Sequence, residues 1–114
     1  MKDDRPYLAD TLQALERVED IGRRGREAFL ADWLLQDAAI RNFEIVGEAV
    51  KRVSAELQAE HPEIPWADLA GFRDVLIHQY FRVDLEIVWA LIAQRVAGLR
   101  GDLARLAAAL GTSR

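Results

Sequence analysis

Near the start of the chain, Leu8, Leu12, Leu15, Val18 and Ile21 recur at intervals of three and four, which puts them on one side of an α-helix. Asp4 ahead of Pro6 predicts where that helix begins, because proline in a first turn gives up an N–H that has no intrahelical partner anyway. The pattern fades at GRRG, residues 22–25. A longer apolar stripe follows at Phe29, Trp33, Ile40, Phe43, Val46, Val50, Val53 and Leu57, with a lapse at Gln36 and Asp37. It predicts one extended helix, stopped at HPEIPW (residues 61–66), since two prolines within four residues do not fit inside a regular helix. Asp68 or a neighbour opens a third helical piece. Asp84 reads as the N-cap of a last helix whose seam runs through Leu85, Trp89, Ile92, Val96, Leu99, Leu103, Leu106 and Leu110. No segment alternates as a half-buried strand does, and no internal repeat is visible. The pattern therefore predicts an all-α protein, a compact antiparallel bundle of four to five helices in one domain over residues 1–114. The long leucine seam also suits association with a second copy, so a dimer is expected.

Composition narrows the functional classes. The 114 residues are 51% hydrophobic and 30% charged, the balance of a folded chain with a real core. There is no cysteine, which removes disulfides and thiolate chemistry and fits a reducing cytoplasm. The N-terminal MKDDRPYLAD lacks the apolar core of a secretion signal, and no apolar run is long enough to span a bilayer. A net charge of −4 argues against binding long nucleic acid through a bulk positive field, although it leaves room for a local basic cleft. Trp33, Trp66 and Trp89 form no stacking ladder and each reads as core.

The chemistry concentrates in GFRDVLIHQYFRV, residues 71–83, which holds Arg73, His78 and Tyr80. On one straight helix Arg73 and Tyr80 fall within about 20° of each other, whereas His78 points about 140° away from Arg73. One helix thus cannot aim both groups at a single small ligand. Either it ends or distorts between them, or a second copy of the chain completes the site. A structural reading competes: a lone histidine beside an apolar face is commonly a hydrogen-bonded rim residue, and Arg73 could pair with Asp74, Glu44 or Glu48. The second stripe also carries Asp37, Arg41, Glu44 and Glu48 as a polar ridge. It reads first as an ion-pair face that orients Arg73 or lines a dimer groove, and second as a wall of an active site. A metal site is the weakest reading, because the Glu-x-x-His pairs of bundle di-iron proteins are missing. His61, in a proline-rich loop, receives no role.

The R-x4-H-x-Y form of Arg73, His78 and Tyr80 follows Gly71 and precedes Val83-Asp84 and Val88-Trp89. With the block IRNFEIVGEAVKRVS, residues 40–54, and FLADWLLQDAAI before it, it resembles the HepT-like branch of the HEPN superfamily, toxin ribonucleases of toxin–antitoxin pairs. The resemblance runs in order along nearly the whole chain. It implies a metal-independent endoribonuclease without a cofactor, in which the RNA's own 2′-hydroxyl attacks the neighbouring phosphate. His78 would then be the general acid or base, the one side chain that titrates near neutrality unperturbed, and Arg73 the clamp on the phosphate oxygens. Asp37, Arg41, Glu44, Glu48 and Asp74 would support the groove, and a homodimer would bring Arg73 and His78 together. The resemblance further implies a nucleotidyltransferase-type (MntA-like) antitoxin that transfers AMP to Tyr80, although Tyr80 could equally pack with Phe81 as surface. Two alternatives stay open: a catalytically inactive nucleotide- or protein-binding subunit of a nucleotidyltransferase complex, and a dimeric helical protein whose motif is purely structural.

Overall fold

The computed structural model describes residues 3–78 and 84–111, and the side chains of all of these except 73–78. The described residues form seven helices: α1 (Arg5–Gly22), α2 (Arg26–Ala31), α3 (Trp33–Lys51), α4 (Ala55–Glu60), α5 (Trp66–His78), α6 (Leu85–Gln94) and α7 (Val96–Gly111). Five of them have ten residues or more, in line with the bundle of four to five helices that the apolar spacing predicts; α2 and α4 are six-residue pieces.

Those two short helices correct the single long helix expected over the second stripe. The first break falls at Asp32, whose extended backbone (φ −127°, ψ 107°) stops α2 and whose carboxylate accepts from the Leu34 N–H, 2.9 Å away, to cap α3. The second falls at Ser54, also extended, whose hydroxyl accepts from the Leu57 N–H and so caps α4. Apolar periodicity survives both breaks because each new helix keeps its greasy side toward the same core. Gln36, which interrupts the stripe, donates to the carbonyls of Phe29 and Leu30 at 3.0 and 3.2 Å and ties the end of α2 to α3. The last helix is likewise two, divided at Arg95, although Ile92, Val96, Leu99, Leu103 and Leu106 remain buried across the break. Asp84 caps α6 as its position predicts, accepting from the Glu86 N–H at 2.9 Å. α5 begins at Trp66, two residues before Asp68.

Asp4 occupies the N-cap position of α1 yet makes no cap bond there. Its two carboxylate oxygens instead accept from the Ser54 N–H and hydroxyl at 2.8 and 2.7 Å. The start of α1 is thereby tied to the end of α3, so the two helices run antiparallel. α7 is antiparallel to α1 as well: Arg100, near its start, pairs with Glu19 near the end of α1, while Ala107 and Gly111 share a cleft with Pro6 and Ala9. Leu8, Leu15 and Val18 of α1, Phe43, Val46 and Val50 of α3, Leu69 of α5, Val88 of α6 and Leu103 of α7 are fully or almost fully buried in one contiguous core. The radius of gyration is 14.2 Å, close to the roughly 13 Å of a compact chain of this length. No described helix is long and apolar enough to cross a membrane.

Candidate functional site

The motif is carried by α5, and α5 is held by α3. Leu69 is fully buried, and the Phe72 ring meets Phe43 of α3 edge-on, centroids 5.3 Å apart at 82°. Such a pair adds about 0.5–1.5 kcal/mol to the burial of its rings and fixes how α5 is rotated just before Arg73. Arg73, Asp74 and His78 all belong to α5, which is helical without interruption from Trp66 to His78. The helix therefore does not end between Arg73 and His78, and the angular separation of about 140° expected on a regular helix applies to their positions. The side chains of Arg73, Asp74 and His78 lie outside the described residues, as does Tyr80 altogether.

On the far side of the motif, α6 is anchored to α2. Arg26 forms an ion pair with Glu86, and the Phe29 and Trp89 rings sit 5.7 Å apart. The stretch 79–83 thus connects two helices that are each fixed to the body of the protein.

The polar ridge of α3 lies where the spacing puts it. Asp37, Arg41 and Glu48 are exposed and Glu44 is half-buried. Arg41 reaches Glu44 at 3.5 Å with its own side chain 71% exposed, a loose surface contact worth little. Asp37 has no partner among the described residues. Arg41 and Glu48 also line a cleft of about 320 Å³ between α3 and α1, together with Tyr7, Asp10, Ile45, Ala49 and Arg52. α1 therefore occupies the flank of α3 that carries Ile45 and Ala49. On a regular helix Glu44 lies on the other flank, the one left to α5.

Three residues depart from the sequence reading. Trp33, expected in the core, is 66% exposed, and Leu34 beside it is 59% exposed. Both stand in the first turn of α3, directly after the break at Asp32. Trp66 is buried as expected, and its indole N–H donates to the His61 carbonyl at 2.9 Å. His61 thus has a structural role through its backbone, and its half-buried ring stands 3.3 Å from Glu63. The Glu63 carboxyl sits below its ordinary range, chiefly through a backbone hydrogen bond and secondarily through His61. Asn42, passed over in the sequence, is 92% buried by its 8% exposure. Its amide N–H donates to the Ala38 carbonyl at 2.8 Å, while its side-chain oxygen has no partner among the described residues. The available signal was a polar residue inside the apolar block. Among the described residues no three His, Asp or Glu side chains gather as a metal site.

A family model described as "Ribonuclease HepT-like" matches residues 11–106. The chain is 40% identical over 103 residues to a "Probable ribonuclease HepT" of Thermococcus cleftensis, covering 90% of this chain and 94% of that protein. It is 41% identical over 100 residues to "Putative RNase TTE0752" of Caldanaerobacter subterraneus subsp. tengcongensis, covering 87% and 89% of the two. No solved structure matches the chain.

Proposed function

Because this chain belongs to the HepT-like ribonuclease family, we propose that it is an endoribonuclease that cleaves RNA without a metal ion. The observation that carries this reading is the match over residues 11–106, which spans the whole of α5 with Arg73 and His78. In the proposed reaction the 2′-hydroxyl gives up its proton to a base and its oxygen attacks the adjacent phosphorus. The bond to the 5′-oxygen breaks, that oxygen takes a proton, and a 2′,3′-cyclic phosphate remains. His78 moves one of these protons, histidine being the residue type best suited to act as acid or base in neutral solution. Arg73 binds the phosphate oxygens as charge builds on them, with a guanidinium that stays protonated throughout.

A homodimer supplies the missing geometry. Two copies of α5 facing one groove offer Arg73 from one chain and His78 from the other to the same phosphate, which a single uninterrupted helix cannot do. Asp37, Arg41, Glu44, Glu48 and Asp74 are the supporting charges of that groove. The protein acts as the toxin of a toxin–antitoxin pair, and a nucleotidyltransferase-type antitoxin neutralises it by AMP transfer to Tyr80. An added phosphate there brings bulk and negative charge to where RNA phosphate must sit.

Purified wild-type protein and the Arg73→Ala and His78→Ala variants, each checked for helical content, test the reading against RNA in EDTA. Wild type should leave 2′,3′-cyclic phosphate ends, and both variants should fold yet lose at least a hundredfold in rate. Cleavage that survives in both variants, or that needs a divalent ion, overturns it.

A further inference from the structure

The cleft between α1 and α3 carries the parts of a nucleotide site, and the proposed reaction leaves Tyr7, Asp10 and Arg52 in it without a task. Its volume of about 320 Å³ suits one nucleotide, at the lower end of the roughly 300–1,000 Å³ of small-ligand sites. The half-buried Ile45 and the buried Ala49 of α3 give it an apolar floor. Tyr7 of α1 is a wall whose half-buried side chain packs on the core and borders the cleft. Asp10, one turn further along α1, and Arg52, the C-cap of α3, are exposed and have no side-chain partner among the described residues. The end of the cleft with Tyr7 and Arg52 is preorganised: the bonds from Ser54 to Asp4, at 2.8 and 2.7 Å, lie one turn before Tyr7 and two residues after Arg52, and fix α1 against α3 there.

These side chains choose among ligands. An aromatic ring beside an apolar floor stacks a base of any kind, and a guanidinium next to it takes a phosphate. A free phosphate alone fits poorly, since Asp10 and Glu48 balance Arg41 and Arg52 around the cleft. The Asp10 carboxylate decides the base, because an ionised carboxylate only accepts hydrogen bonds. Guanine alone among the four RNA bases presents two adjacent N–H donors on one edge, N1–H and N2–H, which match the two carboxylate oxygens. Uracil flanks its single N–H with carbonyl oxygens, and adenine and cytosine set a ring-nitrogen acceptor beside the amino group, so each turns an acceptor toward the carboxylate. The cleft is also close to the motif. α5 packs on the other flank of α3, and the exposed Arg41 stands on the ridge between the two. A strand crosses only the width of one helix, about 10 Å, to pass from one to the other.

We propose that this cleft binds a guanine nucleotide of the RNA strand close to the cut, its base stacked on Tyr7 and held at N1–H and N2–H by Asp10, with a phosphate on Arg52. The inference rests on the ribonuclease reading above and adds to it which base the enzyme selects beside the bond it breaks.

Sequencing the ends left after brief digestion of a random-sequence RNA pool in EDTA tests the assignment. Wild type should enrich guanine at least tenfold over each other base at one fixed offset from the cut. Asp10→Asn replaces one acceptor oxygen by a donor amide and should reduce that enrichment to less than about twofold. Tyr7→Ala and Arg52→Gln should each raise KM on a guanine-bearing substrate at least fivefold. Asp102→Asn, on α7 and away from the cleft, should keep the enrichment of wild type. Guanine enrichment that is absent from wild type, or that survives undiminished in Asp10→Asn, overturns the proposal. Equilibrium dialysis of wild type and Asp10→Asn with guanosine and adenosine 5′-monophosphates keeps the two readings apart. A wild type that cuts no RNA yet binds the guanine nucleotide at least fivefold more tightly, through Asp10, removes the nuclease and keeps the cleft. Cutting without base preference removes only the cleft, and a chain that neither cuts nor prefers guanosine monophosphate removes both.

Discussion

Gly25 has φ +92° and ψ 162°, a region almost closed to L-residues, where one costs about 1–3 kcal/mol, and it stands where α1 hands over to α2. Gly22, three residues earlier, is tight for a different reason: a Cβ there would lie 2.8 Å from the Ile92 side chain of α6. Gly98 has neither constraint, since it lies inside α7 with open space where a Cβ would go. These differences predict opposite outcomes for one substitution. Gly25→Ala should lower the thermal midpoint, whereas Gly98→Ala should raise it, by relieving the up to about 1 kcal/mol that glycine costs within a helix. Calorimetry on the two variants checks the signs. Asn42 has no such clean reading: its amide N–H is satisfied, its oxygen is orphaned, and nothing described explains why a polar residue stands there. The sequence shows where the glycines fall in the pattern, but only the backbone tells that Gly25 is obligatory and Gly98 is not.

Asp4 and Ser54 lie fifty residues apart and form a bidentate tie, Ser54 donating from both its backbone N–H and its hydroxyl. The arrangement seals two helix starts together. Ser54 caps α4, and the Asp4 carboxylate beside it lies at the positive end of the α4 backbone as well. Asp4→Asn keeps the shape but loses the charge, and should cost about 1–2 kcal/mol, as expected for a hydrogen-bonded charged group. Ser54→Ala removes the cap and the hydroxyl half of the tie, leaving the backbone N–H bond in place, and should cost a similar amount. Urea unfolding of the two variants measures this, and a loss below a few tenths of a kcal/mol in both would mean that the tie is incidental. Apolar spacing made α1, the buried part of α3 and the α7 seam legible, because a helix that packs on a core must repeat its apolar residues every three or four positions. It did not reveal the breaks at Asp32, Ser54 and Arg95. An Asp or Ser inside a helical pattern serves as well on a solvent face as at a cap, and the choice depends on whether the rest of the body requires the chain to turn.

The assembled chain measures 44 × 27 × 21 Å, and among the described residues charge is scattered in small surface pairs. A net charge of −4 argues against binding RNA through a bulk positive field. The proposed clamp engages the phosphate next to the cut through Arg73. The apparent affinity for a short single strand should therefore fall with salt at a slope of only about one or two ions, against the roughly six to ten of a protein that tracks a long backbone. Fluorescence anisotropy over a salt series with the His78→Ala protein checks this, and a steep slope would move the binding surface away from the motif. At this level the comparison with relatives added most, because a family match over most of the chain carries information that no single helix face contains.

The order of residues alone determined that this chain is helical, which sides of its main helices are buried, where α6 starts, and which family it belongs to. Each of these follows from local spacing or from a pattern read along one dimension. The tertiary structure decided that Trp33 and Leu34 face solvent, that Asp4 serves Ser54 rather than its own helix, and that α5 continues through both Arg73 and His78. Those outcomes depend on how each helix is rotated against its neighbours, a choice made by the whole core at once through packing between residues far apart in the chain.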